Sequence, residues 1–156
     1  MNIITNFDNI KQEIKNNSFR NEVEIIAVSK TFALNHILPL VNHGHRHFGE
    51  NKVQEAEKKW GNLKKNINDL KLHMIGRLQS NKAKKAVELF DYIHSLDSEK
   101  LAKELSKRQK EKDRNLGYFI QINLGSEEQK GGVEIENLQN LYDHCVKNLN
   151  LSVLGL

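Results

Sequence analysis

The run Ile25-Ile26-Ala27-Val28-Ser29 reads as a core strand and ends directly in Lys30, followed by Thr31 and Phe32. A lysine is seldom fully buried unless its charge is compensated. Strand side chains alternate between faces, so Ile26, Val28 and Lys30 share one. If that face lines a barrel, the ammonium emerges at the C-terminal mouth, where such folds carry out their chemistry. Desolvation there favours the neutral amine, the form that attacks an aldehyde. The competing reading is a strand-end lysine whose stem lies on apolar surface while its head snorkels to water.

Three other clusters are weaker. His43, His45 and His47 alternate in "HGHRHFGEN", as ligands on one face of a strand would. No thiolate accompanies them, and His43 precedes a turn glycine, so solvated or packed histidines are preferred to a metal centre. "GSEEQKGG" at 125–132 has glycines and Lys130, but a phosphate loop ends in Gly-Lys-Ser/Thr and does not carry two glutamates. It reads as a flexible loop at a strand's C-terminal end, which brings Lys130 to the same mouth as Lys30. Cys145 falls on a helix stripe and is assigned to the core. No Ser-His-Asp or paired-carboxylate arrangement stands out.

The elements that must position Lys30 follow from periodicity. Strand-like runs at Val23–Ser29, His45–Gly49, Leu70–Gly76, Tyr92–Leu96, Gly117–Leu124 and Leu151–Leu156 alternate with amphipathic stripes. Leu34, Ile37, Leu38 and Val41 form one stripe. Others are Val53, Ala56, Trp60 and Leu63; Ala83, Ala86, Val87 and Phe90; and Leu138, Leu141, Tyr142 and Cys145. Asp97 or Ser98 can cap the helix through Leu101 and Leu105, and residues around Ile10–Ile14 read as a lead-in helix. Alternating strands and helices imply a parallel sheet with right-handed crossovers. An open doubly wound sheet and a (β/α)₈ barrel compete. No G-x-G-x-x-G follows the first strand, which lowers the dinucleotide reading.

Composition narrows the class. The chain has 156 residues, 38% hydrophobic and 28% charged, enough for one globular domain. One cysteine permits no internal disulfide, and a reducing, cytoplasmic setting is expected. The N-terminal residues lack the basic-then-apolar order of a secretory signal. No apolar run reaches the roughly 20 residues of a membrane helix. The net charge of +4 is spread among acids, and the ten aromatics (Trp 1, Tyr 3, Phe 6) do not interleave a basic stripe, so neither a membrane nor a nucleic-acid partner is expected.

"AVSKT" (27–31), "FGENKVQE" (48–55), "HMIGRLQSNK" (73–82) and "IQINLGSEEQKGG" (120–132) together resemble the pyridoxal phosphate homeostasis family, related to the N-terminal barrel of alanine racemase. The similarity spans nearly the whole chain, with the motifs in order. The resemblance implies an α/β fold, a TIM-type (β/α) barrel of the alanine racemase N-terminal kind. With about six of eight strands it would be incomplete, a single domain over 1–156 with its C-terminal part missing. It implies that Lys30 holds pyridoxal 5'-phosphate as a Schiff base and that Asn51 contacts the cofactor. His73 and Asn123, near C-terminal strand ends, are second-tier contacts, and Lys130 flanks the pocket. Ser80 or Gln79 of LQSNK caps the next helix. The family's phosphate contacts lie beyond residue 156. The function implied is intracellular cofactor buffering and delivery, with apo cofactor-dependent enzymes as partners and without turnover of its own. The alternative is an amino-acid racemase-like enzyme.

Overall fold

The computed structural model describes residues 2–19, 23–125 and 131–156. Six parallel strands form one sheet in the order β1-β2-β3-β4-β5-β6: Ala27–Val28, His47–Glu50, Lys71–Met74, Tyr92–Leu96, Gly117–Ile120 and Ser152–Gly155. Each strand lies beside its predecessor. A doubly wound sheet reverses direction at a switch point. This order never reverses, so the sheet winds one way, as a barrel does. The doubly wound alternative is thereby excluded.

Helices α1 (Ile3–Asn17), α2 (Leu34–Asn42), α3 (Val53–Asn66), α4 (Ala83–Leu89), α5 (Glu99–Glu111) and α6 (Leu138–Asp143) fall on the expected stripes. Asn2 caps α1 through the Ile4 N–H, and Ser98 caps α5 by accepting from the Leu101 N–H at 3.2 Å. Before α4 the chain makes a 3₁₀ turn, Ser80–Lys82, and Gln79 forms no side-chain cap bond. After α6 it widens into a π-turn over His144–Asn148, which buries Cys145.

Register fixes which side chains meet the helices. Phe48 pairs with Ala27 and Leu72, Ile93 with Met74 and Tyr118, and all of these point outward. Phe48 packs on the ring of Trp60 from α3 at 4.8 Å, and the Tyr118 hydroxyl donates to Gln109 of α5 at 2.7 Å. Trp60, Phe48 and Tyr118 are fully buried. Truncating a buried aromatic of this kind to alanine costs about 3–5 kcal/mol. At the foot of the sheet, Asp91 gathers Lys64, Arg114 and the Leu72 N–H, tying α3, β3 and the α5–β5 connection together.

The strands are shorter than the apolar runs suggest. Val23–Ser29 yields only Ala27–Val28, because the ladder needs partners as well as sequence and β2 starts at His47. β1 pairs only with β2 and β6 only with β5, so both edges are unpaired among the described residues. Val28 and Leu154, on those edges, are more than half exposed.

Unpaired parallel edges flanked by exposed apolar side chains template association with other chains. The 156-residue chain alone is therefore expected to self-associate in sedimentation velocity as its concentration is raised. A compact monomer across the whole range would show that these edges are covered.

Candidate functional site

The inward face carries the polar chemistry. Val28 lies opposite Gly49, Gly49 opposite His73, and His73 opposite Tyr92. Two residues beyond Val28 and Gly49, at the C-terminal mouth, stand Lys30 and Asn51, which alternation places on the same face. The structure thus brings two of the expected residues to one end of adjacent strands. Lys30 is exposed, whereas Asn51 is half-buried. The desolvation anticipated for Lys30 is absent here, because the neighbouring β1 edge is open. The loop after β3 presses on Asn51: a Cβ at Gly76 would fall 2.3 Å from the Asn51 carbonyl oxygen, so only glycine permits this approach.

Deeper in the lumen, three imidazoles form a hydrogen-bonded row. His47 Nδ1 lies 3.0 Å from His73 Nε2, and His73 Nδ1 lies 2.9 Å from His94 Nε2. His73 stacks on Tyr92 at 4.5 Å, and His94 on Phe119 at 4.5 Å. His73 is the third residue of the four-residue β3, next to its C-terminal end as expected, and is buried with both ring nitrogens engaged. Burial, reinforced by His94 and His47, pushes its pKa down to about 3. Burial also lowers His94.

The alternating histidines of the second run part company. His43 pairs with Asp8 of α1 at 3.0 Å, His45 packs against Phe7 at 4.6 Å, and only His47 enters the lumen row. Among the described residues no group of three or more side chains is arranged to hold a metal. Asn123 follows β5, on the far side of the sheet from β1. Its N–H donates to the Val133 carbonyl, and its side chain lies 3.4 Å from Glu134. Asp97 binds the Gly132 N–H and Gln121 binds the Gly131 carbonyl, so residues 131–133 fold back over the mouth of β4 and β5. Lys130 lies outside the described residues.

Sequence reasoning missed the outward side of the same mouth. Glu50 is 1% exposed, and its Oε1 accepts from Ser29 Oγ at 2.7 Å, Lys59 Nζ at 2.7 Å and Trp60 Nε1 at 2.9 Å. Glu50 sits inside the GEN motif, but its partners lie 9 to 21 residues away, and only the register joins them. His47, His73 and His94 each fall within a strand-like run. Their meeting depends on the register of three strands, which residue order does not give.

A sequentially wound parallel sheet with a lysine at its C-terminal mouth defines a lysine-bearing (β/α) barrel. The pattern of the family described as "Alanine racemase, N-terminal domain" matches residues 2–156, and the chain belongs to that family. Curated relatives include the pyridoxal phosphate homeostasis proteins of Aquifex aeolicus and Haemophilus influenzae. The first is 42% identical over 136 residues, covering 87% of this chain and 59% of the relative. The second is 36% identical over 161 residues, covering 100% and 68%. The chain therefore spans roughly three-fifths to two-thirds of the length of these relatives. PipY of Synechococcus elongatus PCC7942, solved with PLP bound, is similar with a TM-score of 0.81 and 36% identity, over 94% of this chain and 66% of that one. An alanine racemase of Clostridium difficile shares the fold with a TM-score of 0.74 at 16% identity, over 99% of this chain and 39% of that one.

The depressed His73 pKa has a consequence for stability. In the unfolded chain His73 takes up a proton near its ordinary value of 6.5, while in the fold it does so only near 3. The unfolded state then binds more protons in between, so stability is full above pH 6.5 and falls as pH drops through that window. His73→Gln should flatten the loss between about pH 6.5 and 5, above most carboxylate titrations, when urea midpoints are compared. Parallel profiles for the two proteins would contradict this assignment.

Proposed function

We propose that this chain is the lysine-bearing part of a pyridoxal 5'-phosphate-binding protein that buffers the cofactor and passes it to apo enzymes. The observation that carries the reading is the position of Lys30, two residues beyond Val28 at the C-terminal end of β1, next to Asn51, which stands two residues beyond Gly49 on the adjacent β2. The names of the curated relatives and the PLP-bound PipY support the ligand. The described residues fit the aldehyde end of the cofactor. Lys30 is exposed and has no hydrogen-bond or ion-pair partner among the described residues. Its amine can add to the aldehyde carbon and expel water, leaving a reversible Schiff base. Asn51, pinned by the Gly76 loop, is placed to donate to or accept from a ring substituent. Asn123 would contribute from the far side of the sheet, and the resemblance adds Lys130, which lies outside the described residues. The phosphate end is assigned to the part of the relatives that this chain does not match.

Buffering is favoured over turnover. Racemisation needs an acid or base able to reach the reacting carbon at neutral pH. His73, a buried imidazole of the lumen, is committed at both nitrogens to His47 and His94. Burial lets it take up a proton only near pH 3, so it is a poor base at neutral pH. This arrangement suits a structural floor beneath the ligand. Incubation with L-alanine and cofactor is expected to yield no D-alanine.

Borohydride reduction of the chain mixed with pyridoxal phosphate should place the pyridoxyl mass on the Lys30 peptide, and Lys30→Ala should remove it. A label found only on Lys82, or scattered over surface lysines, would refute the assignment.

A further inference from the structure

Lys30 occupies a strained turn. The Phe32 N–H donates to the Ser29 carbonyl at 3.3 Å, so Ser29–Phe32 form a turn with Lys30 second and Thr31 third. Thr31 has φ 70°. A positive φ at the third position of a turn suits glycine, and for a β-branched residue it is an outlier. Such strain persists only where the surroundings over-determine it, and it clusters at functional sites.

Packing does not supply that determination. Residues 30–33 are all exposed. On the outer side, Thr31, Phe32, Leu34 and Lys59 line a cleft of about 470 Å³. What fixes the turn is a polar clamp on its first residue. Ser29 donates its N–H to Gly49 O at 3.0 Å and its Oγ to Glu50 at 2.7 Å. Its carbonyl accepts from Lys59 Nζ at 2.7 Å, besides the Phe32 N–H. Lys59 is in turn paired with the buried Glu50, which Trp60 also holds. A buried ion pair is a poor device for stability alone, since desolvation offsets its attraction and an apolar pair often serves as well. This one ends on the backbone oxygen immediately before Lys30.

We propose that Glu50 and Lys59 are positioning residues for Lys30: acting through Ser29, they hold the strained turn in the conformation that presents the amine to the lumen. The inference rests on Lys30 being the residue that bonds the aldehyde. The test separates the two ideas. Lys59→Met alone leaves the Glu50 carboxylate buried without its cation and can unfold the chain, so the informative variant is Glu50→Gln/Lys59→Met. It removes both charges while leaving a side-chain oxygen for Trp60. In the apo chain, amide exchange at Phe32 should quicken about tenfold, the loss of roughly one charge-assisted hydrogen bond, while Leu72 and Ile93 are unchanged. With pyridoxal phosphate and borohydride, the yield of label on Lys30 should fall by a similar factor. Lys59→Arg, which keeps a cation and its donors, should retain both properties. If Phe32 and the core amides accelerate together, or if Lys30 labelling stays at the wild-type level in the double variant, the clamp is merely structural and the proposal fails. A wild-type label absent from Lys30 overturns the functional reading instead, and it is seen before any variant is made.

Discussion

A parallel strand sends alternate side chains to opposite faces, and in this chain that alternation separates two chemistries. Outward positions such as Phe48, Leu72, Ile93 and Tyr118 are apolar or aromatic and seal against the helices. Inward positions such as His47, His73, Tyr92 and His94 are aromatic but carry polar atoms. A one-residue slip of any strand would exchange the two sets, burying imidazoles under helices and turning Phe48 or Ile93 into the lumen. Lys30 depends on the same parity. Ser29, one residue earlier, points to the Glu50 side, so the amine can reach the lumen only while this register holds.

The mouth is built from both faces at once. At its rim, just beyond β1 and β2, stand Lys30 and Asn51, with the Gly76 loop pressed against the asparagine backbone. Outside are Ser29, Glu50, Lys59 and Trp60, joined through one carboxylate oxygen. Charge-assisted bonds are shorter and stronger than neutral ones, and a carboxylate with three donors has most of its acceptor capacity used on the near side. The outer set therefore gives the first two strands a rigid end without intruding on the lumen.

Much of this was legible from residue order. Helices announced themselves because their stripes repeat every three or four residues, as Leu34, Ile37, Leu38 and Val41 do within α2. The shared face of Ile26, Val28 and Lys30 needed only alternation. Strand lengths were overestimated, since apolar content says nothing about whether a neighbour is present to bond, and Val23–Ile26 have none of the ladder that Ala27 and Val28 share with β2. The imidazole row and the Glu50 clamp were illegible for a related reason. Successive members of the row, His47, His73 and His94, are 26 and 21 residues apart, and only the register of three strands makes them neighbours. The positive φ of Thr31 leaves no trace in composition, because threonine is not a residue that advertises such a turn.

Each contact in the imidazole row requires one N–H and one lone pair. With His73 neutral, it donates from one nitrogen and accepts at the other, so the proton order of the whole row runs in a single direction. The row is consequently a small dipole lying across β2, β3 and β4, with only two senses. Reversing it means a tautomer change at all three rings, with a proton gained at the outer nitrogen of one end ring and lost from that of the other, since a half-reversed neutral row would set two lone pairs, or two N–H groups, against each other. The floor of the lumen thus carries a polarity that belongs to no single histidine, and an anion or cation held above it would select one sense over the other.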